Sequence, residues 1–357
     1  MPRLVLLFGC SLFALTAAQR ASAIETVSFR DGDQQRRVVA EILVEAQDGG
    51  LMLQADDGHL WTLQPDQILE RSSDESELQP IDADEMEQRM LAEMPDGFSV
   101  FRTQNYLIVY NSDELYAKQV GALFEQLYRN FFTFWKNQRW DLPEPRFPLV
   151  AIVLKDQQAF LEHAGAEIGE TAKSIIGYYH FINNRMTTFN VPDWERNVAT
   201  IIHEATHQLA FNCGLQQRFA DNPKWVSEGL ATFFESPDRR NPGKWRSIGR
   251  VNQKKLRDWR IYVRNRPQES LATLLADDTR YNNASTAAAA YAEGWALTYF
   301  LIKTKRKEYV EYLRLLSEGR PLAERTQRER IGMFETAFES TLVDLDRAFL
   351  KFMERVR

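Results

Sequence analysis

The sequence predicts an α+β fold in which a small all-β unit precedes a larger region of mixed strands and helices. Short strand-like runs separated by Asp-Gly and Gly-Gly turns occupy the first part of the chain, strands and helices alternate up to residue 190, and the pattern beyond Pro267 is almost wholly helical. The chain has 357 residues, of which 44% are hydrophobic and 26% charged. It is therefore long enough for two or three compact units and has the composition of a soluble globular protein.

Residues 1–23 have the pattern of an export signal. Arg3 precedes an apolar run from Leu4 to Ala18, and Ala21-Ser22-Ala23 provides the small residues of a cleavage site. The apolar run is shorter than the ~20 residues that a membrane-spanning helix needs, and no later run reaches that length. We therefore expect a cleaved signal peptide and a mature protein that is exported, periplasmic or secreted, with no stable membrane span.

The charge balance is acidic, with 44 basic and 50 acidic residues and a formal net charge of −6. Because nucleic-acid binding needs clustered Lys and Arg, the balance predicts no nucleic-acid partner. The dense basic stretch from Arg239 to Arg260 is interpreted as a solvated face, with a surface for an acidic substrate or partner as the alternative. Only Cys213 remains beyond the signal, so no intrachain disulfide is expected.

The chain divides into three parts after the signal. Residues 24–71 are expected to form the small all-β unit, as an SH3-like barrel. Residues 72–97 are rich in Ser, Asp, Glu and Gln, which predicts an acidic linker or a loosely attached helix; a packed helix with a solvated charged face is the alternative. Their charge also suggests the hypothesis that they cover a cleft in the largest part, residues 98–357.

Residues 98–357 begin with alternating strands and helices. The pattern predicts a strand at Tyr106–Tyr110, a helix from Asp113 to about Trp135, and a strand at Leu149–Leu154. A β-ribbon follows, in which Asn183-Asn184-Arg185 joins the runs 175–182 and 186–190. Further helices are predicted at about 285–304, 306–318 and 330–355.

One helix carries the strongest chemical signal. Asp193 is an N-cap residue and Gly214 is a helix stop, which predicts a helix over about 194–212. His203 and His207 lie four residues apart, so their imidazoles project from one face and can reach a single ion. Glu204 stands about 100° further round the helix, beside that ion, where a general base must lie to take a proton from an attacking water.

A third metal ligand is expected nearby, because a catalytic zinc uses three protein ligands and a water. Asn222 and Pro223 are residue types that begin helices, and Glu228 lies about one turn into the helix that they predict. A short loop lets the two helices pack side by side, and Gly229 permits a close approach. Glu228 is therefore the expected third ligand of one Zn²⁺, with a solvated helix carboxylate as the alternative.

These residues carry a family resemblance. The stretch His203-Glu204-Ala205-Thr206-His207-Gln208, followed by Pro223-x-Trp225-x-Ser227-Glu228-Gly229-Leu230-Ala231, resembles the gluzincin zinc metallopeptidases and is most similar to the bacterial DUF1570, or peptidase-MA-like, group. The resemblance covers about residues 98–305. It implies a thermolysin-like catalytic domain, the zinc ligands His203, His207 and Glu228, and Glu204 as the base. The chain lacks the Gly-Ala-Met-Glu-Asn stretch of gluzincin aminopeptidases, so an aminopeptidase is not supported.

The resemblance also implies features of the cleft. A tyrosine on a later helix of related gluzincins donates to the tetrahedral oxyanion, which makes Tyr291 a candidate catalytic residue; an ordinary buried aromatic is the alternative. Glu293 is a lesser candidate, for contact with a metal ligand or with the substrate. Gluzincin clefts are walled by an edge strand that pairs with extended substrate, and the run 186–190 is placed to serve as one, with a buried hairpin as the alternative.

The function expected from the sequence is that of an exported zinc metallopeptidase. It would hydrolyse a peptide or protein substrate by a zinc-activated water, with Glu204 as general base and one zinc per chain. Two alternatives stay open: a metal-binding scaffold protein without turnover, against which the intact Glu204 argues, and a zinc hydrolase of a non-peptide amide. The lack of a Gly-x-Ser-x-Gly elbow argues against a serine hydrolase.

Overall fold

The structure, a computed structural model, describes residues 24–236, residue 245 and residues 248–357. The expected signal peptide lies outside the described residues, as do Arg239, Arg240, Lys244 and Arg246 of the basic stretch. Among the described helices, none combines the length and the apolar character needed to cross a membrane.

The N-terminal unit is a five-stranded antiparallel sheet with its own small core. The strands are β1 (Ile24–Asp31), β2 (Gln34–Glu45), β3 (Leu51–Ala55), β4 (Leu60–Leu63) and β5 (Ile68–Asp74). Their spatial order is β4-β3-β2-β1-β5, so β1 pairs with both β2 and β5. Alternate residues such as Val27, Phe29, Leu51 and Leu53 are buried in this core, as the strand periodicity predicts.

The segment 72–97 is not a linker, and this prediction is wrong. Its first residues complete β5, and it then forms a helix, α1 (Ala83–Glu93). Met86 and Met90 of α1 are buried in a core shared with the second sheet. The packed-helix alternative therefore describes the segment. Its acidic composition concealed the helix because α1 buries only these two side chains.

The second sheet has five strands of mixed direction. The strands are β6 (Ser99–Arg102), β7 (Tyr106–Tyr110), β8 (Leu149–Leu154), β9 (Gly177–His180) and β10 (Arg185–Phe189), in the order β6-β7-β8-β10-β9. The three central strands are parallel, whereas β6 and β9 are antiparallel edge strands. The predicted strands at 106–110 and 149–154 and the predicted ribbon are confirmed.

The run 186–190, expected to be an edge strand, is not at the edge of the second sheet. The run 186–190 lies largely in β10, which pairs with β8 on one side and β9 on the other. The ribbon folds so that its first strand is the outer one, and β9 is therefore the strand with a free edge. Sequence periodicity cannot decide which arm of a ribbon joins the sheet.

Helices cover both faces of the second sheet. The helices α2 (Glu114–Asn137) and α4 (Trp194–Asn212) share one apolar core with the sheet, whereas α1 and α3 (Gln157–Ile168) share the core on the other face. The hypothesis that residues 72–95 cover the cleft is therefore not supported, because α1 lies on the face opposite to α4.

The described residues beyond α4 form mainly helices. They contain α5 (Lys224–Phe234), α6 (Gln253–Tyr262), α7 (Ser270–Ala276), α8 (Thr279–Asn282), α9 (Ala287–Thr304), α10 (Arg306–Ser317), α11 (Gln327–Phe338) and α12 (Leu342–Met353). The predicted helices at 285–304 and 306–318 are confirmed. The single helix predicted over 330–355 is in fact two helices, α11 and α12. Glu339 ends α11 because it adopts a left-handed backbone with φ of 47°. Glycine usually occupies such a position, and without one the break has no sign in the sequence.

Candidate metal centre and cleft

The helix α4 has the bounds that the sequence predicts. Asp193 accepts a hydrogen bond from the backbone N–H of Arg196 at 3.1 Å, and Gly214 follows the helix with φ of 71°. Gln208 donates to the carbonyl oxygens of Val150 and Asn184, each at 3.0 Å. These bonds fix α4 against the second sheet and leave the face with His203 and His207 toward α5.

The helix α5 begins one residue later than expected. Pro223 is its N-cap residue rather than its first helical residue, and Asn222 does not cap it. Asp278, which lies just before α8, instead accepts the backbone N–H of Lys224 at 2.9 Å. The cap comes from a segment distant in sequence, which no local pattern could indicate.

The position of Glu228 depends on a close contact between α5 and α9. A Cβ atom added to Gly229 would lie 3.0 Å from the carbonyl oxygen of Gly294 and would collide with Thr298. Only glycine permits this approach, as the sequence suggested for Gly229. The contact holds the first half of α5 in place, and with it Glu228.

Three side chains converge on one point between α4 and α5. His203 Nε2 lies 3.2 Å from His207 Nε2 and 3.3 Å from Glu228 Oε2, and His207 Nε2 lies 3.8 Å from Glu228 Oε1. A tetrahedral zinc with bonds of ~2.0–2.1 Å places its ligand atoms about 3.3–3.4 Å apart. In the described part of the chain, no other group of His, Cys, Asp or Glu side chains is arranged to hold a metal ion. The three side chains could therefore hold a metal ion, and two of their three separations match those of a tetrahedral zinc site.

Glu235, which the sequence analysis missed, belongs to this centre. Its Oε2 lies 2.7 Å from Nδ1 of His203, and its Oε1 accepts from Asn252 at 3.0 Å. A carboxylate at Nδ1 keeps the proton on that nitrogen and turns the Nε2 lone pair toward the metal position. The signal was present in the sequence, because Glu235 follows Glu228 by seven residues, which places the two carboxylates on one face of a helix.

Glu204 lies beside the three ligands and is held by the edge strand. Its Oε2 accepts the backbone N–H of Tyr179 in β9 at 3.0 Å. Burial raises the pKa of Glu204 to about 7, with a smaller contribution from Glu228, against the lowering effects of His203 and of the Tyr179 bond. A carboxylate with a pKa near neutrality is suited to both accepting and returning a proton.

The ligand side chains of the centre shift one another's pKa values. Burial acts to lower the pKa of His203, but its bonds to Glu228 and Glu235 outweigh burial and raise it well above its ordinary value. Burial acts to raise the pKa of Glu228, yet the two histidines bring it down to about 2. Burial lowers the pKa of His207 to about 4. His203 therefore carries a proton on both ring nitrogens. A bound cation would displace the proton on Nε2.

Tyr291 lies on α9 near the same carboxylates. Its ring packs edge-on against Tyr281 at 5.0 Å between centroids, and Lys255 Nζ lies 5.0 Å from the ring centroid. Burial raises the pKa of the Tyr291 phenol, and the negative charges of Glu228 and Glu204 raise it further. The phenol therefore stays protonated and lies within electrostatic reach of the centre.

Glu293 does not line the cleft. It is fully buried, pairs with Arg266 at 2.7 Å and Arg280 at 2.8 Å, and accepts from Ser270 at 2.6 Å. It therefore joins α9 to the segments before it and is not available for substrate contact, contrary to the expectation. Arg266 also pairs with Asp346 at 2.6 Å, so Glu293 belongs to a network of buried charges.

A cleft of about 630 Å³ opens beside the centre. Its walls include His203, Glu204 and Glu235, and from the described part of the basic stretch Lys254 and Arg257. The cleft is large enough for an extended peptide segment or a small molecule.

Comparison with known proteins supports one family label. Residues 197–323 match the sequence model of DUF1570, a family described as a protein of unknown function. The matched range contains the three candidate ligands as well as Glu204, Glu235 and Tyr291. No curated protein matches the chain.

Proposed function

We propose that this protein is an exported zinc metallopeptidase that cleaves a peptide bond of a peptide or protein substrate. The observation that carries the proposal is the convergence of His203 Nε2, His207 Nε2 and the Glu228 carboxylate, with separations of 3.2–3.8 Å between their atoms. Glu235 on the far nitrogen of His203 and Glu204 beside the ligands are the further groups that such an enzyme needs.

The residues would divide the chemistry as follows. Zinc, when held by His203, His207 and Glu228, would supply Lewis-acid polarisation of the scissile carbonyl and of the attacking water. Glu204, fixed through Oε2 by the Tyr179 amide, would take the water proton on its carboxylate and pass it to the leaving nitrogen. Tyr291 would donate its phenolic hydrogen to the carbonyl oxygen as negative charge develops there.

The fold proposed for this activity has two named parts. Residues 98–357 would be a thermolysin-like gluzincin domain, which the position of the antiparallel edge strand β9 beside α4 supports. Residues 24–74 would be an SH3-like barrel, which the pairing of β1 with both β2 and β5 supports.

Two other functions use the same centre. A scaffold protein would bind zinc without turnover, and an amidase would hydrolyse an amide outside a peptide. Glu204 favours turnover, because a carboxylate with a pKa of about 7 can accept and return a proton, which a scaffold protein would not require.

The test combines zinc content with hydrolysis of casein and a peptide library by the purified protein. Three variants accompany it: Glu204→Gln, the double variant His203→Ala and His207→Ala, and Glu162→Gln. The last is a matched control, because Glu162 is an exposed glutamate on α3 and does not line the cleft.

The proposal predicts about one zinc per chain and cleavage by the wild type and by Glu162→Gln. Glu204→Gln should keep zinc and stop cleaving, and the histidine variant should lose zinc. Failure of the wild type to bind zinc would overturn the proposal at its base. Zinc binding without cleavage of any peptide would favour the scaffold or the non-peptide amidase.

A further inference from the structure

Arg218 is a buried cation without a salt bridge to any described carboxylate. Counted as whole residues, two arginines of the described chain are buried, Arg185 at 9% and Arg218 at 8% exposed. Arg185 pairs with Glu93, with separations of 2.5 and 3.2 Å. Asp57 attracts the charge of Arg218 without forming a salt bridge, and burial outweighs that attraction and lowers the pKa of Arg218. A buried charge without a salt bridge is costly, and a carboxylate of a ligand would supply the missing contact.

The contacts that Arg218 does make leave part of its guanidinium free. Its Nη1 donates to the carbonyl oxygen of Phe181 at 3.0 Å. The Gln54 amide, turned so that its nitrogen donates to Glu41 at 2.9 Å, presents its oxygen to Nη2. A guanidinium has five N–H donors, and a carboxylate is the group that its fork binds best.

Arg218 faces a cavity with room for a ligand group. The cavity has a volume of about 280 Å³ and lies against the last turn of α4, between that helix and the N-terminal sheet. Its lining includes Arg218, Phe211, Asn212, Gln54 and Leu43. An anionic group on an apolar stem would find both a cation and an apolar wall here.

An aromatic wall connects this cavity with the candidate centre. Phe211 follows His207 by one helical turn, so it lies on the same face of α4. Its ring stacks on Tyr179 at 5.8 Å and meets Phe181 edge-on at 5.0 Å. Tyr179 donates its amide to Glu204, and Phe181, two residues on, accepts the bond from Arg218. Two residues of extended chain span about 7 Å.

The turn after Arg218 is strained. Phe219 has φ of 60° and Leu322 has φ of 61°, a left-handed conformation that bulky side chains avoid. The Leu322 amide donates to the Phe219 carbonyl oxygen at 2.8 Å, which ties the two strained residues together. Both side chains are exposed, so burial does not explain the strain. Strain of this kind concentrates at binding sites.

We propose that Arg218 determines substrate specificity by binding a carboxylate of the substrate, about two to three residues from the scissile bond. The carboxylate belongs either to an acidic side chain or to a free C terminus of the substrate. The proposal rests on the peptidase function proposed above. It assigns Arg218 a role in recognition and none in the chemical step.

The test measures binding without turnover. A fluorescein-labelled decapeptide library, with Glu or Gln at each position in turn and with free or amidated C termini, is titrated against zinc-loaded Glu204→Gln protein. Arg218→Gln and Arg218→Lys are added to this background. Arg129→Gln is the matched control, because Arg129 is an exposed arginine on α2 and does not line the cavity.

The proposal predicts that Glu at one position, or a free C terminus, binds at least about tenfold more tightly than its neutral counterpart. Arg218→Gln should abolish this preference, Arg218→Lys should reduce it, and Arg129→Gln should keep it. A lack of preference in both arms, or an unchanged preference in Arg218→Gln, would overturn the proposal. If Arg218→Gln does not fold, the preference measured with Arg218→Lys tests the proposal. It should be reduced, because an ammonium cannot bind a carboxylate through two parallel bonds.

The outcome is independent of the peptidase test. Protein that binds acidic peptides through Arg218 but cleaves none would keep this inference and defeat the proposed function. Protein that cleaves peptides without any preference for a carboxylate would support the proposed function and defeat the inference about Arg218.

Discussion

The orientation of His203 depends on one side chain that is not itself a ligand. Glu235 Oε2 lies 2.7 Å from His203 Nδ1, and Asn252 in turn holds the other oxygen of Glu235. Metal-ligating imidazoles need such a partner, because it fixes the tautomer that offers a lone pair to the ion.

We therefore expect Glu235→Gln to weaken zinc binding by about 10–100-fold without removing it. An amide in place of the carboxylate keeps a contact to His203 but loses the charge. Competition with a chromophoric chelator measures the affinity. Glu195→Gln on α4 is the control. Equal zinc affinity in both variants would show that Glu235 does not position His203.

The role of Tyr291 can be separated from its packing by removing one oxygen atom. Tyr291→Phe keeps the ring against Tyr281 and under Lys255, and removes only the phenolic donor. If that donor stabilises a developing oxyanion, kcat for peptide hydrolysis should fall by about 10²–10³-fold with KM and zinc content little changed. Tyr299→Phe, a half-buried tyrosine on the same helix, is the control and should keep its kcat. Similar kcat values for both variants would identify Tyr291 as a packing residue.

At the scale of elements, the crossing of α5 and α9 decides whether Glu228 reaches the histidines. Gly229→Ala would push a methyl group into Thr298 and to within 3.0 Å of the Gly294 carbonyl oxygen. We expect a loss of about 1–3 kcal/mol in the free energy of unfolding, together with weaker zinc binding, because α5 must move away from α9. Urea unfolding and zinc titration measure the two effects.

Gly332→Ala is the matched control for this prediction. Gly332 lies within α11, and an added Cβ atom there meets nothing within 4 Å. Alanine should leave the free energy of unfolding unchanged or raise it by up to about 1 kcal/mol. Equal stability of the Gly229 and Gly332 variants would mean that the helix crossing adapts easily.

The same elements show what a single sequence can and cannot predict. The helix α4 was predicted to the residue because its cap, Asp193, and its stop, Gly214, are local signals. The helix α1 and the placement of β9 at the edge were missed because both depend on which segments pack together. Glu235 had a local signal, its seven-residue spacing from Glu228, but its role requires knowing where His203 points.

At the scale of the whole molecule, the N-terminal sheet supports the wall of the cleft. Leu60 in β4 donates its amide to the Ile182 carbonyl oxygen at 2.8 Å, in the turn that follows β9. Arg89 of α1 binds both carboxylate oxygens of Asp56 at 2.8 Å, which fastens the N-terminal sheet from a second side. The N-terminal sheet therefore fixes the same hairpin that presents Tyr179 to Glu204.

The pH dependence of stability is expected to come partly from His163, at the opposite face of the second sheet. Burial lowers its pKa from the ordinary value of 6.5, Arg185 and His180 lower it further, and Glu167 opposes them. The unfolded chain therefore binds a proton at a higher pH than the folded chain does. The stabilising contribution is complete above about pH 6.5 and is lost as the pH falls through 6.5 toward the folded pKa.

We expect the free energy of unfolding of the wild type to fall more between about pH 7.5 and 5.5 than that of His163→Gln, which cannot take up this proton. Urea unfolding at saturating zinc measures both proteins. The difference between their pH slopes isolates His163, because the metal ligands are common to both. His180→Gln is a second variant for comparison, because His180 also lies near Glu167, with its Nδ1 3.9 Å from that carboxylate. Parallel slopes for wild type and His163→Gln would mean that His163 is equally protonated in the folded and unfolded chains, and would defeat this prediction.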